Sequence, residues 1–137
     1  MELPLFLKKI DIFADLPDAD IHLIAENAQR IDFPDGSPII KRGEPGRFLW
    51  VVYDGEVEVL LTEDDGSQRT VATLEREQIF GEMALLTGEP AVLDVVAFRA
   101  ARIIKIPREI FSGMIARNPQ TLVKFTRLVT KRLLRNE

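Results

Sequence analysis

The residues best suited to chemistry are Phe80-Gly81-Glu82-Met83-Ala84-Leu85-Leu86, followed by Thr87-Gly88-Glu89-Pro90. A short helix set among β-rich runs presents free backbone N–H groups at its first turn, and such a turn favours an anion. Gly81 carries no Cβ to hold a ligand off the backbone. A lone helical turn between strands also serves as plain connection, and the residues by themselves leave both readings open. Other chemistry is sparse. The chain has no cysteine, which removes disulfides, thiolate ligands and cysteine nucleophiles together. Its single histidine, His22, cannot build a metal site alone and reads as a surface residue. No nucleophile stands beside a base, and no phosphate loop ends in a lysine, so the expectation is that the protein is not an enzyme. The acidic trio Glu63-Asp64-Asp65 reads as a solvated turn.

The elements that must position this segment follow from the patterning of 137 residues, a length that suits one domain. From Leu16 to Gln29, Ile21, Ile24, Ala25 and Ala28 recur at helical spacing, with Asp18 and Asp20 near the start where the helix dipole favours anions. From Arg30 short β-rich runs alternate with turn residues, which predicts strands near 29–33, 38–41, 47–53, 56–62, 69–75, 94–98 and 101–106. Asp54-Gly55 and Asp64-Asp65-Gly66 read as hairpin turns. Pro107 then opens a helix through Ile110, Phe111, Met114 and Ile115, and Asn118-Pro119 interrupts it as a candidate hinge. Gln120 to Arg135 resumes with Leu122, Phe125, Val129 and Leu133 as the stripe expected to pack, and with Lys124, Arg127, Lys131 and Arg135 on another face.

Charge is uneven. Six basic residues and no acidic one lie between Arg117 and Arg135, leaving twelve basic against twenty-two acidic residues elsewhere, a net −10 in a chain of net −4. The basic stripe reads first as a wet helix face and second as a contact for an acidic partner. The longest apolar run, Phe48 to Tyr53, is far short of the roughly 20 residues that span a bilayer. The short apolar patch Leu3 to Leu7 lacks a cleavage site, so a cytoplasmic location is expected.

The segment Phe80 to Leu86 resembles the start of the phosphate-binding cassette of the cyclic-nucleotide-binding domain family. Gly36, Gly43 and Gly55 support the resemblance, as does Phe48-Leu49-Trp50-Val51-Val52-Tyr53-Asp54-Gly55-Glu56-Val57, which looks like the family's central hairpin. Val95, Val96 and Ala97 are similar to the strand that closes the cassette. The resemblance implies a mainly β fold with flanking helices: a jelly-roll β-barrel, or double-stranded β-helix, with an N-terminal helix, a short cassette helix and two C-terminal helices. It places residues 1–29 in the N-terminal helical part, 30–106 in the roll with the cassette at 80–97, and 107–137 in the C-terminal helices of a single domain. It also implies a cyclic nucleotide, cyclic AMP or cyclic GMP, as ligand, with no cofactor and no metal. Gly81, Met83 and Ala84 match the amides that hold the cyclic phosphate, Glu82 matches the glutamate that accepts the ribose hydroxyl, and Val71, Phe80 and Leu93 are expected along the pocket wall.

Two phosphate ligands are missing from the pattern. Ala91 stands where the family has its arginine and Val92 where it has a serine or threonine; Leu93 and Asp94 replace a small and a polar or bulky residue. Charge-assisted bonds from a buried arginine are worth about 1.5–3 kcal/mol each, so their loss weakens a phosphate ligand by roughly two to three decades. Without that arginine an ionised Glu82 repels a phosphate or else is protonated by desolvation, and a substitute cation such as Arg99, Arg69 or Arg47 would have to reach in. Glu77 falls where the family often has glycine. Three readings follow: a regulatory domain that binds cyclic nucleotide weakly or not at all and signals through its C-terminal helix, a sensor of an uncharged apolar ligand, or an interaction or oligomerisation module. The expected partners are an effector domain or protein at the last helix, or a second copy as a homodimer. DNA is not expected, since no helix-turn-helix follows Arg135.

Overall fold

The computed structural model describes residues 2–135, which form five α-helices and six strands. Contacts divide the chain into two compact units, residues 29–105 and residues 1–28 with 106–137.

The first of these is the β unit. Its strands are β1 (Gln29–Phe33), β2 (Pro38–Ile40), β3 (Phe48–Thr62), β4 (Gln68–Glu75), β5 (Ile79–Phe80) and β6 (Asp94–Pro107), whose last residues leave the unit, and a helix, α3 (Glu82–Thr87), lies between β5 and β6. The sheet runs β1-β6-β3-β4, with β2 added to β6 and β5 added to β3. Alternation along β3 buries Val57 and Val59 and leaves Glu56 and Glu58 half-exposed, as the period of two requires.

Two long strands replace four of the expected ones. Asp54-Gly55 is not a hairpin turn: β3 runs through it, pairing with β5 at Trp50 and Val51 and with β4 from Glu56 to Thr62. Likewise β6 pairs with β2 at Val95 and Val96 and with β1 from Ala101 to Lys105. Each strand bends where it changes partner, and the bends fall at Gly55 (φ +84) and Arg99 (φ +60). Strands that switch sheets turn corners at such local irregularities, and a left-handed residue supplies the turn. A Cβ on Gly55 would stand 2.5 Å from the Ala100 carbonyl oxygen, so β6 leaves room only for glycine. Arg99 is held in its unfavourable region by its amide, which donates to Asp35 Oδ1 at 2.7 Å. The hairpin at Glu63-Asp64-Asp65-Gly66-Ser67 does form; the Ser67 hydroxyl and amide donate to Asp65, holding its carboxyl below the usual range.

The second unit is helical: α1 (Leu3–Leu7), α2 (Asp18–Asn27), α4 (Arg108–Arg117) and α5 (Pro119–Arg135), with a 3-10 turn at Asp11–Phe13. The Leu3 to Leu7 patch is therefore a helix of its own, burying Phe6 and Leu7. α2 is shorter at both ends than the spacing predicts, and His22 is exposed on it. The rings of Phe13, Phe111 and Phe125 meet edge to face in a chain, with centroids 6.4 and 4.9 Å apart. The buried line of α5 is Thr121, Phe125 and Val129; Leu122 and Leu133, expected in the packed stripe, are exposed. Beside that buried line Lys124 pairs with Asp15 at 2.7 Å and donates to the Asp11 carbonyl at 3.0 Å. The Asn118-Pro119 joint is pinned: Asn118 donates to Asp20 Oδ2 at 3.0 Å and to the Met114 carbonyl at 2.8 Å, and Arg117 donates to Asp20 Oδ1 at 2.7 Å.

Two outcomes are expected. Gly55→Ala combines left-handed strain with overpacking and lowers stability by about 2–4 kcal/mol, against about 1–2 for Gly36→Ala, where a Cβ meets nothing within 4 Å; urea titration of both variants checks the ranking. Arg117 and then Asn118, by bonding the Asp20 carboxylate, hold its pKa below the ordinary 3.8. A depressed carboxylate stabilises fully above the unfolded value and loses that stability as pH falls through the folded one. The stability gap between wild type and Asp20→Asn is therefore open at neutral pH and closes below 3.8; urea melts across pH showing a constant gap would contradict the assignment.

Candidate functional site

The candidate site is built on the β unit around α3. Gly81 caps the helix with φ +78 and Gly88 ends it with φ +74, so both ends depend on the left-handed conformation that glycine tolerates. The Gly88 amide donates to the Ala84 carbonyl at 3.1 Å, and the Thr87 hydroxyl donates to the Met83 carbonyl at 2.9 Å, closing the single turn and a half.

Gly81 answers to a neighbour and not to open space. A Cβ there would stand 2.7 Å from Trp50 Cδ1 and 3.2 Å from Ile40 Cδ1, so the side of the backbone expected to admit a ligand is filled by an indole. Trp50 in turn stacks on Phe80, with centroids 6.0 Å apart and planes at 14°. Phe80 is buried in the core cluster, and Val71, Leu93 and Ala91 pack against the same cluster as partly buried residues. Val71, Phe80 and Leu93 thus belong to or pack on one core cluster. Val92 is not among them: it is 68% exposed.

Glu82 is 5% exposed and engaged with a partner inside the protein. Met83 is half-buried, and Ala84 and Leu85 are buried. The three arginines considered as substitutes behave differently. Arg69 pairs with Glu63 at 2.8 Å, and Arg99 lies 5.4 Å from the Phe98 ring. Arg47 is exposed, beside Gly46. Among the described residues no cluster of three His, Cys, Asp or Glu side chains is placed to hold a metal.

The loop from Lys41 to Arg47 is the part of the site that the sequence shows only as a turn. A Cβ on Gly46 would stand 2.5 Å from the Ala84 carbonyl carbon and 2.7 Å from the Leu85 nitrogen, so this loop lies directly on α3. Two backbone bonds tie it to the far side of the cassette: the Gly43 amide donates to the Ala91 carbonyl at 2.7 Å, and the Ala91 amide donates to the Glu44 carbonyl at 2.9 Å. Asp94 completes the strap, accepting from the Arg42 amide at 2.9 Å and from Gln68 Nε2 at 3.1 Å. Glu77, in the turn before β5, has φ +75 and donates its amide to the Val52 carbonyl at 2.9 Å. A left-handed backbone at that point is what glycine accommodates without cost.

The strap makes a prediction. In Gly46→Ala the added methyl meets backbone atoms that cannot step aside, so stability falls by about 1–3 kcal/mol and amide exchange at Ala84 and Leu85 quickens; unchanged exchange there would show that the loop does not hold α3.

Comparison with known proteins agrees with this architecture. The family described as cyclic nucleotide-binding domain matches residues 30–118. The Cyclic AMP receptor protein of Thermus thermophilus is 30% identical over 93% of this chain and 59% of its own. The regulatory subunit of a cAMP-independent protein kinase A from Trypanosoma brucei, solved as a triply substituted form bound to cAMP in its A site, superposes with a TM-score of 0.82 at 26% identity over 90% of this chain and 44% of that one. The corresponding subunit from Trypanosoma cruzi, solved bound to guanosine, gives 0.75 at 25% identity over 93% of this chain and 48% of that one. The chain spans from 26% to 59% of the length of the first curated relatives it matches. The β-roll with its cassette helix and flanking helices, matched across residues 30–118, makes the chain a member of the cyclic nucleotide-binding domain family.

Proposed function

We propose that this domain is a regulatory ligand sensor whose cassette has given up the cyclic phosphate, so that it binds cyclic AMP and cyclic GMP weakly or not at all and passes its state on through its C-terminal helices. The observation that carries the reading is the pair Ala91 and Val92 at the place of the family's phosphate-binding arginine and its hydroxyl partner. Ala91 has no side chain to offer, and its amide and carbonyl are both spent on the Lys41–Arg47 loop. The amide positions Gly81, Met83 and Ala84 and the ribose position Glu82 are retained.

The Trypanosoma brucei subunit lends support. Its form bound to cAMP carries three substitutions, one of threonine to arginine and two others to alanine. The first and second altered positions are seven residues apart and the third is adjacent to the second, the spacing of Ala84, Ala91 and Val92 here. By that spacing this chain already has alanine at the first position and lacks the arginine at the second.

A second reading is favoured by the Trypanosoma cruzi subunit, in which the bound molecule is guanosine. A nucleoside offers the ribose hydroxyls that a cassette glutamate accepts and carries no phosphate that would need the absent arginine. Under this reading the ligand is an uncharged nucleoside, with Val71, Phe80 and Leu93 along the wall. Occupancy shifts the domain between states only as far as the ligand prefers one of them.

Calorimetric titration distinguishes these outcomes. Wild type is expected to show no saturable heat with cyclic AMP at micromolar concentrations, and Ala91→Arg with Val92→Ala to gain about 100-fold in affinity for it. Saturation of the wild type by guanosine establishes the nucleoside reading, and its absence removes it. Micromolar binding of cyclic AMP by the wild type would overturn the loss of the phosphate site.

A further inference from the structure

We infer that the joint between α4 and α5 is a binding site for a small oxyanion, a carboxylate or a phosphate, built entirely within the helical unit. The inference does not depend on what the cassette binds.

A cavity of about 290 Å³ lies at this joint, lined by Asp15, Arg117, Asn118, Pro119, Gln120 and Thr121. That volume is at the lower edge of the range for small-molecule sites.

Thr121 is the residue that points to a ligand. It is 2% exposed, and among the described residues it is one of two buried polar or charged side chains; the other, Glu82, has a partner inside the protein. The Thr121 amide donates to the Asn118 carbonyl at 3.0 Å, but its hydroxyl has no partner among the described residues. Thr126 and Thr130, on the same helix, donate theirs to the Leu122 and Thr126 carbonyls at 2.9 and 2.8 Å. A hydroxyl taken out of water without a bond is costly. Among the described residues no fully enclosed side-chain nitrogen or oxygen lacks a partner, so the Thr121 hydroxyl reaches open space, and the space that Thr121 lines is this cavity.

The start of α5 adds donors to the same wall. Asn118 turns its side-chain nitrogen back to Asp20 and to the Met114 carbonyl, closing the end of α4. Pro119 has no N–H, and the Thr121 and Leu122 amides both donate to the Asn118 carbonyl, at 3.0 and 3.2 Å. The Gln120 amide is the donor left in the first turn of a helix of 17 residues, where the helix dipole favours negative charge. Arg117 gives one terminal nitrogen to Asp20, and a guanidinium carries five N–H donors in all.

These groups select the ligand. A guanidinium, a backbone amide and a hydroxyl share one wall, and a group with two or more charged oxygens accepts from all three, as a carboxylate or a phosphate does. Arg117 and the helix dipole disfavour a cation. Asp15 is the one acidic side chain on the wall, and Lys124, 2.7 Å from it, offsets its charge. A bound oxyanion would join the last residue of α4 to the first turn of α5.

The test follows the assigned amide resonances of Gln120 and Thr121 in the ¹⁵N-labelled full chain without nucleotide. Acetate or inorganic phosphate is raised to about 50 mM, with ionic strength held constant by chloride. One of the two anions is expected to give a saturable shift at both amides with a midpoint of about 1–10 mM, and the anion that saturates assigns the site to carboxylate or to phosphate. Thr121→Val keeps the side chain's shape and removes its hydroxyl. It is expected to weaken binding by about fivefold or more and to leave the unfolding midpoint unchanged or raised, because no bond within the protein is lost. Thr121→Ser, which keeps the hydroxyl, should retain affinity to within about twofold. Shifts that rise without saturating for both anions overturn the inference. So does a Thr121→Val variant that binds as wild type does, or whose unfolding midpoint falls while that of Thr121→Ser does not, since the hydroxyl then serves the fold.

Discussion

The Gly46 backbone lies so close to the first turn of α3 that the methyl of an alanine would stand 2.5 Å from the Ala84 carbonyl carbon. Backbone packed this closely on backbone leaves little room for adjustment, so the loop and α3 are fixed against one another. Everything else in the site is arranged around it. The same loop reaches past α3 to bond both the amide and the carbonyl of Ala91, and Asp94 fastens its start through the Arg42 amide. Trp50, stacked on Phe80, stands against Gly81. The segment is consequently held by backbone hydrogen bonds and ring packing within the protein, none of which needs a bound anion.

The roll itself depends on two bends, and these show what the sequence made legible. The apolar alternation at Val57 and Val59 and the turn at Glu63 to Ser67 are local signals, and they were readable because a strand's period of two and an Asp-Gly turn are decided by adjacent residues. Asp54-Gly55 carries the same local signal and forms no hairpin. Its glycine is required by β6, whose Ala100 carbonyl lies against it, and that contact joins residues far apart in sequence. Arg99 gives no local sign of its left-handed backbone; Asp35, sixty-four residues away, fixes it. Glu77 belongs with them, at a position where the family pattern holds glycine and the backbone is left-handed.

The short helix between strands was legible in its residues, and the loop that supports it was not. Phe80, Gly81, Glu82, Met83 and Ala84 form a contiguous motif, and the loss at Ala91 and Val92 is visible by counting from it. Gly46 and Glu44 reach the cassette from a loop some forty residues earlier in the chain, Asp94 fastens that loop from beyond it, and their types suggest only a turn and surface acids. The helical unit repeats the lesson. A 3.6-residue period locates α5, but the buried edge runs through Thr121, Phe125 and Val129 and leaves Leu122 and Leu133 exposed. Apolar spacing does not register a threonine that takes a buried place.

The claim at the centre of this account is that the cassette keeps its backbone cradle while lacking a phosphate contact. Its most direct test is to follow the assigned amide resonances of Gly81, Met83 and Ala84 in the ¹⁵N-labelled chain while cyclic AMP is added. These signals are expected to be sharp and dispersed without ligand, because the Lys41–Arg47 loop holds α3 in place, and to show no saturable shift at micromolar nucleotide. A saturating shift of those three amides at micromolar cyclic AMP, or signals too broadened to observe before any ligand is added, would contradict it.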